Sequence, residues 1–149
     1  MSLEVRPLVP ADFVALRGRL QEAQRGEARL LTPWFALACL DVGPAWTALD
    51  RGEPVAAAGL YLTGWPWPVG WALLAHDAGR RLVALTRLVR RALAPFEVVA
   101  TGVRRGFRAG ERWACVLGFV PTSRDLAPGW RLWLRRRGPE AEPEMRHGT

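Results

Sequence analysis

Apolar and polar positions alternate over Leu3–Leu8 (LEVRPL), the pattern of a half-buried strand. Pro10-Ala11-Asp12 then opens a helix, with proline and an acid at its positive end. Phe13, Leu16, Leu20 and Ala23 recur at helical spacing, so this helix is expected to run until Gly26 ends or kinks it. Thr32-Pro33 announces a second helix, which is expected to turn Trp34, Leu37, Ala38 and Leu40 inward. Trp46–Asp50 and Val55–Leu62 read as strands joined by an Arg51-Gly52-Glu53-Pro54 turn, with Tyr61 packed on the second of them. Trp71–Ala75 is a further strand, and Gly79–Leu93 is the clearest helix of the chain. Its stripe is Leu82, Leu85, Leu88, Val89, Ala92 and Leu93, with Arg87, Arg90 and Arg91 facing water and Pro95 as the stop.

Phe96–Thr101 gives another strand and Ala109–Leu117 another helix, with Gly118 as a left-handed C-cap and Phe119 turning back inward. Trp130–Arg135 alternates apolar and basic residues, as a strand with one wet face does. The order β-α-α-β-β-β-α-β-α-β predicts one mixed α/β domain over residues 1–135. Residues 136–149 are rich in Arg, Gly, Pro and Glu without apolar anchors, and are expected to be a disordered tail.

Between two of these strands lies GWPWPVGW (64–71), which holds three of the eight tryptophans. Proline and glycine exclude a regular helix or mid-sheet strand there. Trp71 is expected in the core at the start of its strand. Trp65 and Trp67, two apart, are expected to point the same way and to form a pocket rim or contact surface.

Composition narrows the function classes. No apolar run approaches the roughly 18 residues that cross a bilayer, and the N-terminus lacks a secretory layout. A cytoplasmic protein without a membrane partner is expected. Cys39 and Cys115 both sit among apolar residues and read as buried free thiols; with two histidines they make no zinc pattern, and no metal is expected. The net charge is +7 and every basic residue is arginine. The absence of Lys, Asn and Ile points to a GC-rich genome; the excess of positive charge points to an anionic partner such as a phosphorylated cofactor, nucleic acid or an acidic surface. The nucleic-acid candidates are Arg104, Arg105, Arg108, Arg112 and Arg135–Arg137, although no recognised reading module accompanies them.

Four stretches, VRPLVPADFVAL (5–16), WTALDRGEPVAAAGL (46–60), WALLAHDAGRRLVALTRLVRRAL (71–93) and GERWACVLGFVP (110–121), resemble in order and separation the GNAT superfamily of acyl-CoA-dependent N-acyltransferases. The resemblance implies a mostly antiparallel central sheet flanked by about four helices. It also implies an acyl group, acetyl or another, passed from acyl-CoA to an amine. In that family backbone groups of the fourth strand hold the pantetheine arm, and the next loop and helix start hold the pyrophosphate. Carried onto this chain, the cofactor positions are Leu74, Ala75, His76, Gly79, Arg80 and Arg81.

The likeness is incomplete. The usual (Gln/Arg)-x-x-Gly-x-(Gly/Ala) signature is replaced by Ala75-His76-Asp77-Ala78-Gly79-Arg80-Arg81, with one glycine. The family's frequent tyrosine falls on Ala114, and a common asparagine on Phe107. His76 is the catalytic candidate, with a titration range suited to a base; Glu53, Asp77 and Glu111 could also serve. Within the superfamily the likeness is to a short divergent branch of tailed phages. That implies an alternative, a catalytically degenerate domain acting as a virion or binding component in the host cytoplasm or the particle.

Overall fold

The computed structural model describes residues 3–138. Seven strands and four α-helices make a mixed α/β fold. The chain divides into two compact units, Met1–Leu85 and Thr86–Thr149.

The first unit begins with β1 (Glu4–Pro7) and α1 (Pro10–Arg17), followed by a 3-10 segment at Glu22–Leu30. Next come α2 (Pro33–Val42), β2 (Ala45–Asp50), β3 (Glu53–Tyr61) and β4 (Val69–Leu74). The strands lie in chain order, and each pairs antiparallel with the next. The β2–β3 hairpin turns on two residues, Arg51 (φ 54°) and Gly52 (φ 82°), both left-handed as the favoured hairpin turn requires. Glu53 and Pro54, expected in the turn, belong to β3. Phe13 and Leu16 of α1, with Ala36 and Cys39 of α2, pack onto Ala45, Ala57 and Leu73 of the sheet.

Two helix expectations fail here. Helix α1 stops at Arg17, nine residues before the expected Gly26. Leu20 is buried, but it is held by an antiparallel bridge to Ala75 and not by a helix face. In α2 the buried residues are Ala36 and Cys39, while Trp34 is 79% exposed and Leu37 and Ala38 also face out. The helix is apolar almost all round, so periodicity could not select the inward face. Only Leu40, which packs against the core, is turned as expected. The Thr32 cap is as read: its hydroxyl accepts the Phe35 N–H at 3.1 Å.

Helix α3 (Leu82–Leu93) follows a 3-10 turn at Ala78–Arg81, so Gly79, Arg80 and Arg81 precede the α-helix instead of forming its first turn. Leu85 and Leu93 are buried and Arg87, Arg90 and Arg91 are exposed, as the stripe predicts. The division between the two units falls inside this helix.

The second unit carries β5 (Val98–Arg104), α4 (Arg108–Leu117), β6 (Val120–Ala127) and β7 (Trp130–Arg136), with antiparallel strand order β5-β7-β6. Gly118 (φ 99°) caps α4 in the left-handed region, and the Phe119 N–H returns to the Ala114 carbonyl at 2.9 Å. Strand β6 was not expected. In its sequence, VPTSRDLA, only Thr122 and Leu126 are even half-buried, so no alternation of apolar and polar residues marks it. Strand β7 extends through Arg136, and the Arg137 N–H bonds the Glu97 carbonyl; the rest of the expected tail, 139–149, lies outside the described residues.

Two further expectations are corrected. Tyr61, the last residue of β3, is 41% exposed. Cys115 is exposed on α4, whose inward positions are Ala114 and Leu117; only Cys39 is buried, and burial pushes its thiol pKa up. Among the described residues no helix is long and apolar enough to cross a membrane.

Candidate functional site

The C-terminal end of β4 leads through Ala75, His76 and Asp77 into the 3-10 turn at Ala78–Arg81, so the first unit brings all six cofactor candidates together. The ladder decides which backbone groups are offered. Ala75 donates to the Val55 carbonyl at 2.9 Å, so odd-numbered residues face β3 and the peptide groups of Ala72, Leu74 and His76 face away from it.

Those outward groups are already engaged. The Leu74 carbonyl accepts the Gln21 N–H at 2.9 Å, and the His76 N–H donates to the Arg19 carbonyl at 2.6 Å. Leu74 N–H donates to the Gln24 Oε1 at 2.9 Å, and the Gln24 Nε2 donates to the Ala72 carbonyl at 2.8 Å. Gln21 and Gln24 carried no signal in the sequence, because the periodic pattern placed both on a helix.

Charge at the turn is largely neutralised within the unit. Arg81 is held by Asp50, its Nε 2.7 Å from Oδ2, and also donates to the Asp77 carbonyl at 3.0 Å. Both partners of the Arg81–Asp50 pair are nearly buried, at 11% and 13% side-chain exposure. Arg19 donates to the Pro54 carbonyl at 2.9 Å and lies 3.3 Å from both Asp77 and Glu53. Arg80 and the His76 ring, by contrast, are exposed. Around Gly79 an added Cβ would meet nothing within 4 Å, which leaves open space beside its backbone.

An acyl-CoA fits this set in part. Gly79 and Arg80 leave room and charge for a pyrophosphate. Arg81 could contribute only by sharing its guanidinium with Asp50, and the β4 edge is paired by the chain itself.

The tryptophan stretch separates from this site. Trp71 packs on the core, edge-on to Phe13 with ring centroids 6.1 Å apart. Trp65 is 44% exposed and Trp67 half-buried, in the loop before β4. The length of β4, about 20 Å at 3.3 Å per residue, lies between that loop and His76. The two tryptophans therefore do not line the His76 site.

In the second unit, Ala114 is buried at the position of the family's tyrosine. The arginines considered for nucleic acid do not form one free face. Arg104 lies over the rings of Phe107 and Trp130, Arg105 pairs with Asp125 at 2.6 Å, and Arg135 points inward to helix carbonyls. Arg108 and Arg112 do share an exposed face of α4.

No family model matches the chain, and no curated protein matches its sequence. Solved structures do match its fold along nearly its whole length. An aminoglycoside acetyltransferase, AAC(6')-Ib in complex with ribostamycin and coenzyme A, is similar with TM-score 0.68 at 18% identity, covering 98% of each chain. An acetyltransferase of the GNAT family from Staphylococcus aureus Mu50 has TM-score 0.64 at 12% identity, covering 92% of this chain and 100% of its own. PaiA N-acetyltransferase from Thermoplasma acidophilum in complex with coenzyme A has TM-score 0.66 at 12% identity, covering 91% and 99%. At these identities the likeness establishes the GNAT fold.

Proposed function

We propose that this chain is an N-acyltransferase of the GNAT type, taking an acetyl or other acyl group from acyl-CoA to an amine. The observation that supports it is the full-length likeness to acetyltransferases crystallised with coenzyme A. A shared fold does not by itself give a shared reaction, so the reading is carried to particular residues. In it the outward backbone groups at Leu74 receive the pantetheine arm, which runs on past Ala75 and His76. Gly79 and Arg80 meet the pyrophosphate, with Arg81 shared between phosphate and Asp50. Bound acyl-CoA would supply an activated thioester carbonyl to the amine, the C–S bond breaking as the C–N bond forms and the released coenzyme A thiolate taking up a proton. His76, exposed at the end of β4, takes the proton that the amine gives up.

The acceptor of the AAC(6')-Ib neighbour is an aminoglycoside, a polycation. A net charge of +7 disfavours such an acceptor here, and neutral or anionic amines are the better first panel. Trp65 and Trp67 remain available as a contact surface for a partner away from His76. Calorimetry with acetyl-CoA, followed by acetyl transfer to that panel, tests the reading. Binding in the micromolar range and loss of transfer in His76→Ala are expected; no binding at millimolar acetyl-CoA would remove it.

A second reading has its own support. Engaged outward groups on β4 and alanine at position 114 favour a catalytically silent domain kept for binding; a virion component is one form it could take, and the exposed Arg108 and Arg112 would be its contact to nucleic acid. Recovery of the chain in stoichiometric amounts from purified particles, with no transfer activity, would favour it over the first.

A further inference from the structure

Two groups of the first unit cover the β4 edge at Ala72–His76, in different ways. Arg19–Gln21 pair with it as backbone, through the Leu20–Ala75 bridge. Gln24 pairs with it by a side chain. Its carboxamide donates to the Ala72 carbonyl and accepts from the Leu74 N–H, at 2.8 and 2.9 Å. A planar carboxamide that donates to residue i−1 and accepts from residue i+1 meets the two groups that the N–H and C=O of one residue on a neighbouring parallel strand would meet, here opposite Leu73. The carboxamide thus takes up the two backbone groups that an extended, amide-bearing ligand would use. One pair of backbone groups cannot serve both.

The two ends of this cover differ in how firmly they are held. Leu20 is 2% exposed, and Arg19 is fastened to Pro54, Glu53 and Asp77. Beyond them no residue of Glu22–Leu30 is buried, and an added Cβ on Gly26 would meet nothing within 4 Å. Lifting Gln21–Gln24 therefore breaks the Gln21 and Gln24 hydrogen bonds to β4, while no residue of the segment is buried. It leaves the anchor at Arg19–Leu20 in place.

We infer that Gln21–Gln24 is a displaceable cover on the β4 edge, latched by the Gln24 carboxamide, and that an amide-bearing arm such as that of acyl-CoA binds by replacing the latch. This rests on the acyl-CoA reading above and adds to it a residue that competes with the ligand. Intrinsic affinity is then reduced by the fraction of molecules in which the cover is closed.

Acetyl-CoA affinity of the full chain, measured by calorimetry for the wild type, Gln24→Ala and Gln24→Asn, tests the inference. Two hydrogen bonds removed from the closed state correspond to roughly tenfold tighter binding in Gln24→Ala. Gln24→Asn, one methylene too short to span Ala72 and Leu74, should change in the same direction and serves if the alanine variant folds poorly. Without ligand, the Leu74 amide should exchange faster in either variant than in the wild type, and acetyl-CoA should slow it again. The His76 amide, held by the anchor, should not change. Equal affinity in wild type and variants would overturn the cover and leave the acyl-CoA reading standing. Weaker binding in the variants would overturn it too, by making Gln24 part of the binding site. No binding to any of the three at millimolar acetyl-CoA would remove the acyl-CoA reading and this inference with it.

Discussion

The indole of Trp71 lies directly on Gly59: a Cβ there would sit 2.7 Å from the ring and 2.8 Å from the Pro44 carbonyl oxygen. The pair stands across β3 and β4 at one ladder position, and glycine is what lets the ring close onto the sheet. Gly59→Ala should therefore destabilise by about 1–3 kcal/mol through overpacking. Trp71→Ala should cost about 3 kcal/mol as a large-to-small change in the core. Trp65→Ala, at an exposed loop position, should stay within about 0.5 kcal/mol. Urea unfolding of the three variants checks the order.

Asp12 is a buried carboxylate that ties α1 to β1 and β2. It accepts both Arg6 Nη groups at 2.8 Å, the Thr47 hydroxyl at 2.6 Å and the Val9 N–H at 2.9 Å. Burial alone would raise its pKa, but these bonds and the Arg6 charge outweigh burial and hold it below the ordinary carboxylate value. A depressed folded pKa stabilises the native state above the unfolded value of about 3.9, and that contribution is lost as pH falls through the folded pKa. Asp12→Asn should cost about 2–4 kcal/mol at neutral pH. The gap to the wild type should narrow below about pH 4, as followed by thermal unfolding across pH.

Arg81 binds Asp50 through a guanidinium edge, with both Nε and Nη2 on one carboxylate oxygen. A lysine carries the charge but not that fork. Arg81→Lys should thus recover little of the roughly 2 kcal/mol that Arg81→Ala loses by stranding a nearly buried Asp50. Recovery of full stability by lysine would show that the charge alone matters.

Arg135 closes two helices at once. Its Nε donates to the Leu117 carbonyl at the end of α4 at 3.1 Å, and its Nη1 to the Leu93 carbonyl at the end of α3 at 3.4 Å. A cation at a helix C-terminus is favourable, although burial and the like charge of Arg90 lower its pKa. Arg135→Met should cost about 1–2 kcal/mol and accelerate amide exchange at both helix ends. Exposed Arg112→Met should do neither.

Features written in local chemistry were legible in the sequence. Thr32-Pro33 starts α2, Gly52 turns the β2–β3 hairpin, Leu117-Gly118-Phe119 ends α4, and Trp71 belongs to the core. Each follows from a backbone preference or a side-chain cap that acts over a few residues. The cofactor candidates also lie within eight consecutive residues, so their grouping at the end of β4 needed no long-range contact.

What tertiary structure alone decided lies in the rest. Helical spacing at Leu16, Leu20 and Ala23 is compatible with a helix, yet pairing of Leu20 with Ala75 ends it at Arg17, because burial can be reached by either route. The almost wholly apolar α2 chose Ala36 and Cys39 only by packing, and the mostly exposed β6 is held as a strand by its pairing with β7. Whether Arg81 faces a ligand or Asp50, 31 residues away, and whether Gln24 faces water or the edge of β4, are likewise decided by contacts between distant segments. No periodicity encodes such contacts, because they depend on where the backbone goes and not on the preferences of the residues along it.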